Sequence, residues 1–215
     1  MLTAYRTLHG PGEDTLIIKK SRFIGYARPV ETEAEAVQFI ESIRKKHWDA
    51  NHNCYAYQLG YNDEIQKSND AGEPAGTAGR PILEVIKKEN LKNVVVVVTR
   101  YFGGTLLGAG GLIRAYGQTA GAALQAAGVV TRSLFQLVRV DIDYTWLGQV
   151  ENETLGGGFF IDHTDYQDRV TVAVLVPVEQ VDAYTTLITD ATNGQAVITP
   201  GEQVYASVAD GKLVK

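Results

Sequence analysis

The stretch Val94-Val-Val-Val-Val-Thr99-Arg100-Tyr101-Phe102-Gly103-Gly104-Thr-Leu-Leu-Gly108-Ala-Gly110-Gly111-Leu-Ile-Arg114-Ala-Tyr116 decides how this chain folds. Five consecutive valines are stiff at χ1 and lack polar alternation, which predicts a strand covered on both faces. The strand empties into a glycine-dense loop, and the loop opens a helix. Glycines 103, 104, 108, 110 and 111 let the backbone enter conformations closed to other residues and let another molecule approach closely. The free N–H groups at a helix start are a natural anion site, and Arg100 and Arg114 bracket this one. The pattern points to a place for a phosphate or a phosphate-rich partner. A tight turn with close helix packing calls for the same glycines, and both readings stand at this point.

Two nucleotide motifs fail on spacing. A P-loop needs Gly-Lys-Ser/Thr where the helix begins, and no lysine occurs between residues 93 and 211. A dinucleotide fingerprint needs a glycine where Ile113 stands and an acid about 20 residues further on. The nearest acids beyond that point are Asp141 and Asp143.

The 215 residues, 45% of them hydrophobic, suffice for one large or two small domains without disulfides or metals. No apolar run approaches the ~20 residues of a membrane span. The opening Met-Leu-Thr-Ala-Tyr-Arg lacks the apolar core of a secretory signal. The single cysteine, Cys54, excludes an internal disulfide and fits a reducing compartment. A cytoplasmic protein with no membrane contact is expected. Charge is uneven: residues 1–131 carry 15 Lys and Arg against 13 Asp and Glu, and residues 132–215 carry 5 against 12. The asymmetry suggests one anion-facing and one solvating domain, so any RNA contact must come from a local patch.

Periodicity places strands at 15–18, 22–30, 53–60 and 64–68, with a helix from Thr32 to about His47. Thr32 and Glu35 have capping-box spacing. Residues 81–88 and 109–127 read as helices, the second ended by Gly128. Thr77 is a candidate cap for the first of these. Beyond residue 131 the order is strand (134–144), helix (146–155), strands (159–165 and 169–176), helix (178–189) and a last strand through Tyr205. That is βαββαβ, the ferredoxin-like split motif. Such a sheet takes RNA only where it exposes aromatics. The predicted class is α+β, with domains at 1–131 and 132–215.

Asp70-Ala-Gly-Glu-Pro-Ala-Gly-Thr-Ala-Gly-Arg-Pro81 and Thr99–Tyr116 resemble the long motifs of the YigZ/IMPACT family, as do His52-Asn-Cys-Tyr-Ala-Tyr57, Tyr144-Thr-Trp-Leu-Gly and Leu187–Gln195. The resemblance implies an N-terminal domain like domain IV of elongation factor G, the second domain of small-subunit ribosomal protein five and the GHMP kinases, with a left-handed βαβ crossover. It implies a C-terminal domain like domain V of the same factor. The family's eukaryotic members regulate translation under amino-acid stress through a further domain for which this chain has no room; its bacterial members have no secure activity.

The candidate binding set is Arg100, Tyr101, Gly103, Gly104, Gly108, Gly110, Gly111, Arg114, Tyr116, Asp70 and Glu73. Arginine forks suit phosphate. Tyr101, Phe102 and Tyr116 are candidates for base stacking or for core. Asp70 and Glu73 sit in a Gly/Pro-rich loop, where they serve acid–base work or Mg²⁺, or make turns and caps. A buried pair of Arg114 with either is the alternative to a ligand role. His52 and Cys54 share a strand face, but zinc wants three or four such ligands. No metal, cofactor or catalytic residue is assigned. Glycines 111, 117 and 121, each costing ~1 kcal/mol in a helix, call for close packing or close ligand approach. The expectation is a non-catalytic module bound to RNA, the ribosome or a ribosome-bound factor, with a protein partner for the acidic C-terminal domain held open. The alternative is a phosphate-handling enzyme, a phosphotransferase or hydrolase, using the same loop with Asp70 or Glu73.

Overall fold

All five valines of residues 94–98 are fully buried, and successive side chains enter different cores. Val94, Val96 and Val98 join Phe23, Cys54, Ile82 and Tyr116; Val95 and Val97 join Ile24, Tyr26, Ile40 and Tyr57. This is the period-2 alternation of a strand whose two faces are both covered. The computed structural model describes residues 2–209 and 212–214, so Met1, Asp210, Gly211 and Lys215, at the outer ends of the two expected domains, lie outside it. The chain divides into one unit of residues 5–130 and another of residues 2–4 with 131–215.

Strand β1 (Ala4–Leu8) enters the first unit from its second residue, and that unit goes on with β2 (Gly12–Ile18), β3 (Ser21–Pro29), α1 (Glu33–Lys46), β4 (His52–Leu59), β5 (Ile65–Asn69), α2 (Gly79–Lys88), β6 (Val94–Tyr101) and α3 (Ala109–Ala127). Its sheet has the order β2-β3-β6-β4-β5, every neighbouring pair antiparallel. Strands β3 and β4 therefore run parallel on either side of β6, joined by α1 as the crossover. Helix α1 covers one face, and α2 with α3 covers the other. Thr32 caps α1 by accepting the Glu35 N–H at 3.2 Å. The Glu35 carboxylate returns to the N–H of Glu31 at 2.8 Å, one residue before the capping-box position. Strand β1 was not foreseen; it is five residues long and carries no turn signal on its N-terminal side.

Of glycines 111, 117 and 121, only Gly111 is tightly packed, a Cβ there falling 3.0 Å from that of Leu107. A Cβ at Gly117 would meet Val85 at 3.8 Å, ordinary contact, and one at Gly121 would meet nothing within 4 Å. The approach is made from the sheet: a Cβ on Gly25 would lie 2.7 Å from the Thr119 carbonyl oxygen, and Ala115, Ala120, Ala123 and Ala127 complete the small buried face of the helix. Nothing in the structure explains Gly121.

The second unit runs β7 (Val129–Ile142), α4 (Leu147–Gly156), β8 (Phe160–Tyr166), β9 (Val170–Pro177), α5 (Val181–Ala191), β10 (Val197–Ala209) and β11 (Lys212–Val214). The sheet order β11-β10-β7-β9-β8 contains the βαββαβ arrangement, with β11 added at its edge. Residues 2–4 tie on as well: Thr3 accepts the Leu134 N–H at 2.8 Å, and Leu2 accepts the Tyr205 hydroxyl at 2.7 Å. Val138, Val140, Val172 and Val174 pack beneath Tyr184 and Ile188. On the other face Phe135 is buried and meets Phe160 edge-on, so this aromatic pair packs on itself rather than facing solvent.

Candidate functional site

The glycine loop leaves β6 under control of its neighbours. Phe102 donates its N–H to Asn51 Oδ1 at 2.8 Å, and Gly103 donates to Ser21 Oγ at 3.2 Å. Gly103 lies so close to the β2–β3 turn that a Cβ there would fall 2.0 Å from the carbonyl oxygen of Lys20. The turn is formed by Lys19 and Lys20, both exposed and both at positive φ. At the loop's other end Gly108, with φ 73° and ψ 166°, is the N-cap of α3. This backbone conformation is open to glycine alone, and glycine supplies no side chain to cap the helix. The first turn of α3 carries no acid, and none of the described hydrogen bonds takes the N–H of Ala109, Gly110 or Gly111.

Beneath the loop lies a buried charge cluster centred on Glu73. Its Oε1 accepts from Arg100 Nη1 at 2.6 Å and from the Tyr116 hydroxyl at 2.8 Å, with His52 Nε2 at 3.8 Å. The second Arg100 nitrogen, Nη2, donates to Ser21 Oγ at 3.3 Å, so Ser21 holds both the guanidinium and the loop. Arg100 is 5% exposed, and its Nε has no hydrogen-bond partner. The guanidinium carbon lies 5.3 Å from the Phe23 ring centroid and 5.4 Å from that of Phe102. His52 has its tautomer set by geometry: Nδ1 donates to the Ala71 carbonyl at 3.0 Å, leaving Nε2 toward Glu73. Burial raises the Tyr116 hydroxyl far above the ordinary phenol range, so it serves here as a donor.

Asp70 plays a different part. Its carboxylate accepts the N–H groups of Gly76 at 2.8 Å, Ala78 at 3.0 Å and Gly79 at 2.8 Å. It thereby caps α2 from eight residues away, which is why Ala78, the N-cap, needs no side-chain cap of its own. Burial acts to raise this carboxyl, but the three backbone donors outweigh it and hold it below the ordinary aspartate range. Thr77 is not the cap; its hydroxyl donates to the Pro74 carbonyl at 2.7 Å. Cys54 donates its thiol to the Asp70 carbonyl at 2.9 Å and is pushed up to about 12, chiefly by burial, which keeps it protonated.

The candidate residues therefore separate. Arg100, Glu73 and Tyr116 form one buried cluster. Tyr116 is fully buried, which removes it from any stacking role. Arg114 is exposed and makes no pair with Asp70 or Glu73; the buried arginine partner of Glu73 is Arg100. Tyr101 faces the α1 side of the sheet, with Arg22 4.4 Å above its ring. Its hydroxyl donates to Asp49 at 2.9 Å and meets His47 Nδ1 at 2.9 Å, and the other ring nitrogen of His47 takes the Tyr26 hydroxyl at 2.6 Å. Glycines 103, 104, 108, 110 and 111 stay on the loop and first turn, beside Phe102 (44% exposed) and Leu106 (83% exposed). Between this loop and the charge cluster is a pocket of about 410 Å³, walled by His52, Glu73, Arg100, Phe102, Leu107 and Ala109 among others.

Residues 19–124 match the Impact N-terminal domain, and residues 140–195 match a domain of unknown function, DUF1949. The IMPACT family member YvyE of Bacillus subtilis is 48% identical over 209 residues, covering 97% of this chain and 96% of that protein. The chain belongs to the IMPACT family. The family member YigZ of Escherichia coli is 35% identical over 179 residues, 82% of this chain and 88% of its own. Human Protein IMPACT is 36% identical over 95 residues, 42% of this chain and 29% of the human protein. A crystal structure of a hypothetical protein superposes with a TM-score of 0.61 at 30% identity, covering 94% of this chain and 99% of that one. The family assignment and the α+β fold class with its two-domain layout both stand. Among the described residues no helix is long and apolar enough to cross a membrane.

Sequence reading missed Lys19, Lys20, Ser21 and His52 as parts of this family's glycine-loop region. Lys19 and Lys20 are more than 80 residues from the loop, and only the antiparallel β3–β6 pairing brings them together. The available signal was a Lys-Lys-Ser break between two strand-like runs, which marks a tight turn but not its neighbour.

Proposed function

We propose that the chain is a non-catalytic cytoplasmic module acting in translation or its regulation, and that it holds RNA of the translation machinery through the glycine-loop face of its first unit. The observation that carries this reading is the donor-rich, cationic edge at that loop. Uncapped N–H groups open α3, exposed Arg114 stands one turn on, and the other end of the loop rests on the exposed Lys19–Lys20 turn. Backbone donors and mobile cations of this kind follow a phosphate chain without reading bases. Phe102, exposed next to the loop, adds a surface on which a base can stack. Family membership supports the same reading, since the resemblance implies translation for this family. The buried Arg100 contributes by fixing the loop through Ser21, and Arg114 and Lys20 make the outward contacts.

Co-sedimentation of the protein with ribosomes over a salt series tests this. Binding at low salt is expected, falling linearly in log–log form with a slope near −0.7 to −0.9 per phosphate contact. Absence of binding at low salt, or affinity indifferent to salt, would overturn the reading.

A further inference from the structure

The pocket beneath the loop adds to the N–H groups of α3 a carboxylate and a hydrocarbon wall that a phosphate chain does not use. We propose that it binds a small zwitterion with an apolar body: a molecule carrying a carboxylate and an ammonium on a compact hydrocarbon frame. At about 410 Å³ the pocket lies within the size range of small-molecule sites and fits a ligand of this class.

Two features fix the class. First, the fixed charges in the wall cancel: the Glu73 carboxylate and the Arg100 guanidinium form one ion pair at 2.6 Å. A polyanion such as a nucleotide would enter with its charge uncompensated, whereas a net-neutral ligand with separated charges matches a net-neutral wall. Second, the carboxylate oxygen and the helix donors come from different elements. The strand side offers an acceptor, Glu73 Oε2, which none of the described hydrogen bonds uses, with His52 and the Asn51 amide beside it. The helix side offers donors, the N–H groups that begin at Ala109 with no cap and no acid among them. An ammonium belongs at the first and a carboxylate at the second.

The remaining wall is hydrocarbon apart from the Asn51 amide. Pro74, Phe102, Leu106, Leu107 and Leu112 surround the space, and Phe102 and Leu106 leave much of their surface in water when nothing is bound. A branched aliphatic body covers them. No Ser, Thr or Cys lines the pocket. The proposal is one of binding; it shares the N–H groups that open α3 and the Phe102 face with the RNA reading, whereas Arg114 and Lys20 lie outside this wall.

The test uses the full chain, labelled with ¹⁵N, and three probes of one shape: leucine, 4-methylpentanoate (no ammonium) and isoamylamine (no carboxylate). Leucine is expected to shift the amide signals of Ala109, Gly110 and Gly111 saturably at millimolar concentration. Each half-molecule is expected to bind at least about tenfold more weakly. Ala109→Pro removes one donor at the helix position that tolerates proline, following a residue with ψ 166°, so the fold is kept and leucine affinity drops about tenfold. Leu106→Ser, at a rim position, weakens all three probes alike, because all three carry the isobutyl group. No saturable shift from leucine, equal affinity for all three probes, or an unaffected Ala109→Pro protein would each overturn the proposal. Ribosome binding by the wild-type protein bears only on the RNA reading, and its leucine-induced amide shifts bear only on this one.

Discussion

Replacing Glu73 by Gln keeps the side chain's shape and removes its charge, which isolates what the carboxylate does for Arg100. The amide oxygen still accepts the Tyr116 hydroxyl, now 2.8 Å from Oε1, so that bond is retained. Arg100, 5% exposed and 2.6 Å from Glu73, is left as a buried guanidinium without a counter-charge. Breaking a buried pair in this way costs about 3–5 kcal/mol. Single-domain stability lies near 5–15 kcal/mol, so the first unit is expected to remain folded but weakened. The assay is amide hydrogen exchange at Val95, Val96 and Val97, which are fully buried on the central strand and open only when the first unit unfolds. At a factor of ten per 1.4 kcal/mol, their exchange should accelerate by about a hundredfold to several thousandfold. The double change Glu73→Gln/Arg100→Gln removes the stranded charge, and its cost should fall short of the summed single costs by about 2 kcal/mol. Exchange within threefold of the wild type for Glu73→Gln, or strict additivity in the double variant, refutes the account of a paired charge cluster beneath the loop.

Further expectations concern the loop and its supports. Gly103→Ala should destabilise by about 1–3 kcal/mol through overpacking, because its Cβ would press on the Lys20 backbone. Gly104→Ala meets no neighbour within 4 Å but sits at φ 80°, costing about 1–2 kcal/mol. Asparagine, which tolerates that conformation, should recover much of the loss at 104 and none at 103 in denaturant titrations. Asp70→Ala should cost about 2–4 kcal/mol by stripping three backbone donors of their acceptor. Because the Asp70 carboxyl is held below its unfolded range, its contribution is present above the unfolded pKa and lost as pH falls through the folded one, so wild-type and variant thermal stabilities should converge in strong acid. His47 is lowered by burial, then by Lys46 and Arg22. The unfolded chain therefore takes up this proton first as pH falls, and stability should decline below about pH 6.5, with a shallower decline in His47→Gln.

The architecture was legible because its main signals are local and periodic. The valine run, the Thr32–Glu35 cap and the Gly128 stop each act over a few residues, and the family motifs carried the domain assignment. The site was less so. Arg100 and Arg114 look alike in sequence at the two ends of one loop, yet Arg100 is on the inward face of β6 and Arg114 on the outer side of α3. Tyr101 and Arg100 are adjacent and point to opposite faces of the sheet, one toward α1 and one toward α3. Asp70 reads as a catalytic candidate or an N-cap by type, and only the fold shows the N–H groups of residues 76, 78 and 79 gathered on it. Lys19 and Lys20 gave no sign of a link to residue 103, since that contact depends on strand pairing across 80 residues.

The most direct test of the glycine-loop face is ribosome affinity for Lys20→Glu/Arg114→Glu beside Lys87→Glu/Lys88→Glu, which makes the same charge change in the last turn of α2. All four positions are exposed, so both proteins should fold. The account expects the first pair to lose more than about tenfold in affinity and to flatten the salt slope by roughly 1.4–1.8, the equivalent of two phosphate contacts. The second pair should bind nearly as the wild type does. Equal losses in the two proteins, or no loss in either, would contradict it.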